Sequence, residues 1–317
     1  LALPKSRQDG IIPDSYGSLI KLNSTYAEFI DRADRHRGMS KTTFGFLLVA
    51  LINGLGVFSA IYVGGYIDSI DVMSIHVVTF LIIALILSLT DYFVWKHHLG
   101  RDFLTVSFYP IRFNRKKRMV YIYRDRESGG VLKVNWNDIF WHIGKGYQQE
   151  YNCDLRGHVM KNGVIVDTFS VGNFYDDSRV NQIMAMWEFI RRYMEEPLDS
   201  LFDEPLDRHI DKSTEVSLKN CYMHVYANMW PFAIDYRYYL APVFYPLLWI
   251  LTLGRWFTLG TCKKPVWPSS VEAECIVVSD DPMILQEPKY TGEFSEDPAV
   301  ADRQFERHSQ QRKYEIM

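Results

Sequence analysis

Nine histidines, four cysteines and a few acidic pairs are the side chains of this 317-residue chain that could bind a metal, move a proton or attack a carbon. Their spacing favours none of these. Cys153, Cys221, Cys262 and Cys275 form no CxxC pair and no zinc-type pattern, so they read as thiols of a reducing compartment. His97 and His98 are adjacent, and adjacent helix positions do not share one face as an i, i+4 metal pair does. His142 stands among the aromatic residues of 136–143 and reads as a packed or partly exposed imidazole, while His158, near Cys153, has no further ligand beside it. Asp176 and Asp177 open a helical stretch, where capping and the helix dipole already account for two aspartates. The phosphate loop, the paired-glycine dinucleotide turn, HExxH and GxSxG are all missing from the sequence. A non-enzymatic protein with no metal and no cofactor is therefore expected.

Electrostatics offers more. Arg115, Lys116, Lys117 and Arg118 form a basic run. Beside a membrane it would contact anionic lipid headgroups, each cation contributing about 1 kcal/mol. A solvated hairpin turn that only fixes topology explains the same four residues. The overall charge of −3 lacks the basic excess that sequence-independent nucleic-acid binding needs, so no nucleic-acid partner is expected.

The elements that must position these residues begin with two uncharged apolar stretches, 42–67 and 72–90, joined by Asp68-Ser69-Ile70-Asp71. A helix needs about 20 residues to cross a hydrocarbon core of roughly 30 Å, and both stretches suffice. The pattern predicts a transmembrane hairpin over 42–95. Arg32, Arg35, Arg37 and Lys41 precede it, and Lys96 and Arg101 follow, so both flanks are expected in the cytoplasm. Gly56, Ala60 and Gly64 recur every fourth residue, a ridge for close helix packing. Asn53 is expected to bond between helices, with His76 and Asp91 at the interfaces.

Around the hairpin, residues 1–41 read as a cytoplasmic arm with a short helix over 24–37, capped by Ser24 or Thr25. Residues 103–196 read as a β-rich domain with strands at 103–108, 119–123, 131–136, 151–160 and 164–171, Asn162-Gly163 being the strongest hairpin signal. An amphipathic helix at 179–193 closes it. Residues 197–278 read as helical, with a third apolar stretch at 238–254 interrupted by Pro242 and Pro246. Its length and prolines predict a re-entrant or interface-lying segment anchored by Tyr238, Tyr239, Trp249 and Trp256, with a buried core helix as the alternative. Residues 279–317 read as a flexible charged tail, with a fragment of polar helix at 304–313. The fold class is thus a membrane protein, α+β, with an antiparallel β domain closed by a C-terminal helix.

Several stretches carry a likeness: the hairpin itself, Phe108-Tyr109-Pro110-Ile111-Arg112-Phe113-Asn114-Arg115, Val120-Tyr121-Ile122-Tyr123, Val131-Leu132-Lys133-Val134-Asn135-Trp136-Asn137-Asp138, and Lys264-Pro265-Val266-Trp267-Pro268-Ser269-Ser270-Val271-Glu272-Ala273-Glu274-Cys275. Together they resemble an uncharacterised family of bacterial membrane-associated proteins commonly encoded at type VI secretion and interbacterial toxin loci. The resemblance implies an immunity or accessory factor that binds a cognate toxin, effector or secretion component. The strand-then-helix block also resembles pleckstrin-homology-like domains, which implies a scaffold or headgroup-binding module as the alternative. Partners are therefore the lipid bilayer and one of these proteins.

Overall fold

The computed structural model describes residues 2–8, 10–64, 70–124, 129–146, 152–176, 179–203, 205–233 and 237–292. The chain divides into two units, one of Leu1–Arg35, Ser107–His224 and Lys264–Met317, the other of His36–Val106 and Val225–Lys263.

The second unit is built on α1 (Ser40–Gly64) and α2 (Ile70–Val94). Both are apolar all round, and Leu51, Phe58, Ile61, Val78, Leu81 and Leu85 are all more than half exposed. A helix without a polar face is at home in lipid, not water. Residues 65–69, which hold half of the expected link, lie outside the described residues, and its other half, Ile70 and Asp71, opens α2. A third long helix, α5 (Arg237–Gly260), runs unbroken through Pro242 and Pro246. Each proline removes one backbone donor, a loss that helices in apolar surroundings tolerate when neighbouring groups re-satisfy the backbone. Three segments, Ser40–Tyr62, Val77–His97 and Ala241–Gly260, are long and apolar enough to cross a membrane.

The first unit is a pair of antiparallel sheets. Strands β1 (Leu19–Leu22), β2 (Tyr26–Phe29), β3 (Ile111–Asn114), β4 (Met119–Ile122) and β5 (Leu132–Asn135) follow one another across the larger sheet. Strands β6 (Ile139–Lys145), β7 (Asn152–Lys161) and β8 (Val164–Asp176) form the smaller. Asn162 and Gly163 both take positive φ, 52° and 77°, which closes the β7–β8 hairpin with the twist that such turns need. Helix α3 (Val180–Glu195) lays Ile183, Met186, Trp187, Ile190 and Tyr193 into the core. There Trp187 stacks on Trp136 at 5.8 Å between ring centroids and meets Trp141 at 5.2 Å. Helices α4 (Leu218–Ala233) and α6 (Ser269–Glu274) complete the chain.

Three expectations change. The stretch 24–37 is not a helix: β2 occupies Tyr26–Phe29, and only a 3-10 turn at Arg32–Arg35 remains. The side chain of Asn23 accepts the N–H groups of Thr25 and Tyr26 at 2.9 and 2.8 Å, so the polar cluster makes the β1–β2 turn instead of a helix cap. The strand expected at 103–108 is also missing, because Leu104 sits at φ +58°, a value no extended strand contains. Finally, the start of the charged tail is docked. Met283 is buried, Leu285 bridges to Leu22, and the Asp281 carboxylate accepts from Ser24 N–H. Residues 293–317, including the fragment expected at 304–313, lie outside the described residues.

Candidate functional site

Strand alternation turns Phe29, Phe113 and Val120 toward the core and leaves Glu28, Arg112, Asn114 and Tyr121 on the outer face of the larger sheet. Residues 264–277 return across that face. The Arg112 guanidinium lies between the rings of Tyr26 and Trp267, 4.1 and 4.8 Å from their centroids. It donates to Glu28 at 2.8 Å and to Glu272 at 3.2 Å. Burial opposes its charge, but Glu28 and the Glu272 hydrogen bond outweigh that cost and raise its pKa. Beside it, Asn114 donates to the Glu274 carbonyl and to Cys275 Sγ at 2.8 and 3.3 Å. The Glu274 carboxylate accepts from Lys133 and from Tyr121 Oη, both at 2.7 Å, and the Lys133 bond does most to hold its pKa below the usual range. Arg112 is 1% exposed and paired to both Glu28 and Glu272, so the cluster latches the returning segment, with Arg112 Nη1 buried and without a hydrogen-bond partner.

A cleft of about 470 Å³ opens elsewhere on the same unit, lined by Asp31, Tyr109, Tyr123, Arg124, Asp167 and Ser170 among others. Arg124 and Asp167 close across it with two hydrogen bonds of 2.7 and 2.9 Å, and the Arg124 bond lowers the Asp167 pKa. No thiol or imidazole lines it.

The basic run divides. Arg115 donates to the carbonyls of Tyr193 and Glu196, and Arg118 donates to the Met194 carbonyl and makes a pair of bonds to Glu195 at 2.8 and 3.1 Å. Both therefore cap the C-terminal end of α3, where free carbonyls and the helix dipole favour cations. Lys116 and Lys117 stay exposed. His142 and His158 face each other on β6 and β7 with ring centroids 4.2 Å apart; burial, then the neighbouring imidazole, lowers the His142 pKa. None of the four cysteines is in a disulfide, and among the described residues no three His, Cys, Asp or Glu side chains are grouped to hold a metal. His97 packs its ring on Phe93 at 4.4 Å. Asp177 and the side chains of His76, His98 and Asp176 lie outside what is described.

In the apolar unit, a Cβ added to Gly56 would come within 2.5 Å of Leu87, so α1 and α2 approach closely there. Ala60 is half-buried, and Gly64 ends α1. Asn53 Nδ2 donates to both carboxylate oxygens of Asp91 at 3.0 Å, joining the two helices. Trp249 and Trp256 are about half exposed, at 46% and 45%. Tyr238 and Tyr239 lie in α5, their side chains outside what is described. Strand β2, which supplies Tyr26 and Glu28, falls inside the stretch expected as a helix, and its four residues, YAEF, are too few to show a period.

These features define a membrane-associated protein with a folded α+β domain beside its apolar helices. Residues 77–279, well over half of the chain, match the Family of unknown function (DUF6708), and the chain belongs to that family. No curated protein and no solved structure matches it.

Proposed function

We propose that this protein is a non-enzymatic anchor that holds a partner-binding domain on the cytoplasmic face of a bacterial inner membrane. One observation carries the reading. Strand β2 precedes the hairpin and β3 follows it, yet the two pair directly, from Tyr26 with Asn114 to Phe29 with Ile111. A sheet cannot be split by a bilayer, so the chain between them crosses an even number of times, as a two-span hairpin does. The cations on both flanks support taking that side as the cytoplasm.

The same parity limits α5. Residues 264–292 belong to the sheet-bearing unit, so segment 225–263 must leave and return on one side. Within it, α4 supplies only 225–233, a rise of about 14 Å at 1.5 Å per residue, against roughly 30 Å of hydrocarbon. On this reading α5 does not cross alone; it re-enters or lies in the interface, with Trp249 and Trp256 at headgroup level.

For the partner, the family resemblance favours a cognate toxin, effector or secretion component, which makes the protein an immunity or accessory factor. The alternative, a pleckstrin-like module that binds headgroups through residues 115–118, draws less support because Arg115 and Arg118 are engaged at α3. The test is to solubilise membranes expressing the full chain and ask whether the product of the adjacent gene co-purifies, and whether the chain protects cells from that product. Retention or protection is expected. Neither, with the protein correctly inserted, would overturn the reading.

A further inference from the structure

Four exposed cations of the apolar unit have so far entered only as markers of topology or not at all. Lys41 opens α1, Lys96 and Arg101 follow α2, and Lys263 follows α5. Those three ends are tied together. The Asp102 carboxylate accepts from Gly38 N–H at 3.1 Å and from the Thr42 hydroxyl. Lys263 N–H donates to the Thr105 carbonyl at 2.9 Å, and the Cys262 thiol donates to the Asp102 carbonyl at 3.1 Å. A Cβ on Gly45 would touch Leu99 at 3.3 Å. Four cations are thereby gathered at one end of the helices. All four are exposed, and among the described residues none forms an ion pair. The acids that could neutralise them are turned elsewhere, Asp102 toward Gly38 and Thr42, and Asp91 toward Asn53.

A water-facing surface ordinarily intersperses its charges. This one sets four of a single sign directly against apolar helix. Leu104 lies in the same loop, held at φ +58°, a costly conformation for a leucine, with its side chain 70% exposed. Trp95, just after α2, and Trp256, in the last turns of α5, are both 45% exposed. Tryptophan and long cationic side chains beside apolar helix are the composition of a headgroup boundary.

We propose that this collar, Lys41, Lys96, Arg101 and Lys263, binds the phosphate of anionic phospholipid headgroups, with Leu104, Trp95 and Trp256 at the acyl boundary. It rests on the reading that α1 and α2 cross the bilayer, and it moves the lipid contact from the 115–118 run to the helix ends. The charge complementarity is direct, since a phosphodiester supplies the anion that the protein itself withholds.

The full-length protein in nanodiscs of phosphatidylglycerol or of phosphatidylcholine, followed by native mass spectrometry of retained lipid, tests this. The wild type should retain phosphatidylglycerol preferentially. Each of Lys41→Gln, Lys96→Gln, Arg101→Gln and Lys263→Gln should weaken that retention about fivefold. The pair Lys116→Gln/Lys117→Gln should leave it unchanged. Inorganic phosphate that displaced the lipid at equal concentration would assign the site to free phosphate and overturn a lipid site. Equal retention of both lipids by the wild type, or a preference that survives all four substitutions, would also overturn it. Should the quadruple variant fail to insert, the single Arg101→Gln variant decides. Alkaline extraction separates the two readings: a protein that stays in the membrane without lipid preference defeats only the collar, whereas release from the membrane defeats the hairpin.

Discussion

Arg112, Arg191 and Arg192 are among the most buried side chains of the sheet-bearing unit, whereas leucines and phenylalanines of α1 and α2 stand more than half exposed. The large apolar side chains of the two units lie in opposite positions, although the second unit buries Arg37 and Arg255 as well. In the first, each buried cation is matched: Arg112 to Glu28, Arg191 to Glu188 at 2.7 Å, and Arg192 to Asp203 at 2.6 Å. In the second, polar bonds are few within the spans, and Asn53 with Asp91 carries the contact between α1 and α2. The difference teaches what surrounds each unit. A domain in water can bury a charge only by pairing it, while helices in lipid need no apolar interior and pack through small side chains.

Acid should separate the two most completely. The Glu196 pKa is lowered from 4.5 by its Arg191 hydrogen bond, that of Glu274 from 4.5 by Lys133, and that of Asp167 from 3.8 by Arg124. A depressed carboxylate binds fewer protons in the folded state. Its contribution is complete above the ordinary value and is lost as pH falls through the lowered one. Between pH 5 and 2, near-ultraviolet dichroism of the tryptophan core should collapse while the helicity of α1 and α2 in detergent persists. Simultaneous loss would erase the distinction.

Next in size is Arg112→Met, expected to cost about 3–5 kcal/mol because it strands the buried Glu28. Chemical unfolding of the full chain should show much of that loss recovered in Arg112→Met/Glu28→Leu. Gly56→Leu addresses the other unit and should cost about 1–3 kcal/mol by overpacking against Leu87, relieved by Leu87→Ala in a thermal melt in detergent. Smallest is Arg118→Ala, which removes a helix-end cation from a partly exposed site and should cost no more than about 1 kcal/mol, with the loss shrinking as salt rises.

Local signals were legible in the sequence. The uncharged stretches gave α1 and α2, the 3.6-residue period gave α3, and the Asn162-Gly163 step gave the β7–β8 turn. What escaped depends on distant partners. Ser24 and Thr25 satisfy the rules for a helix cap, and only the arrival of β3, with Arg112 meeting Glu28 across 84 positions, makes the following residues a strand. Arg112 itself lay in plain view within a distinctive motif, yet its partners Tyr26, Glu28, Trp267 and Glu272 come from both ends of the chain. The basic run illustrates the converse. Its charge was obvious, but a sequence cannot reveal that α3 ends beside Arg115 and Arg118 and uses them.

The strand order also sets a schedule for synthesis. At 5–20 residues per second, β1 and β2 leave the ribosome well before β3, and until β3 emerges they have no sheet to join. The hairpin lies between, so membrane insertion comes before the first long-range pairing can form. The bridge from Leu22 to Leu285 follows much later. A chain whose hairpin fails to insert would present the open edge of the β1–β2 pair and an apolar segment together, the combination that quality-control proteases remove.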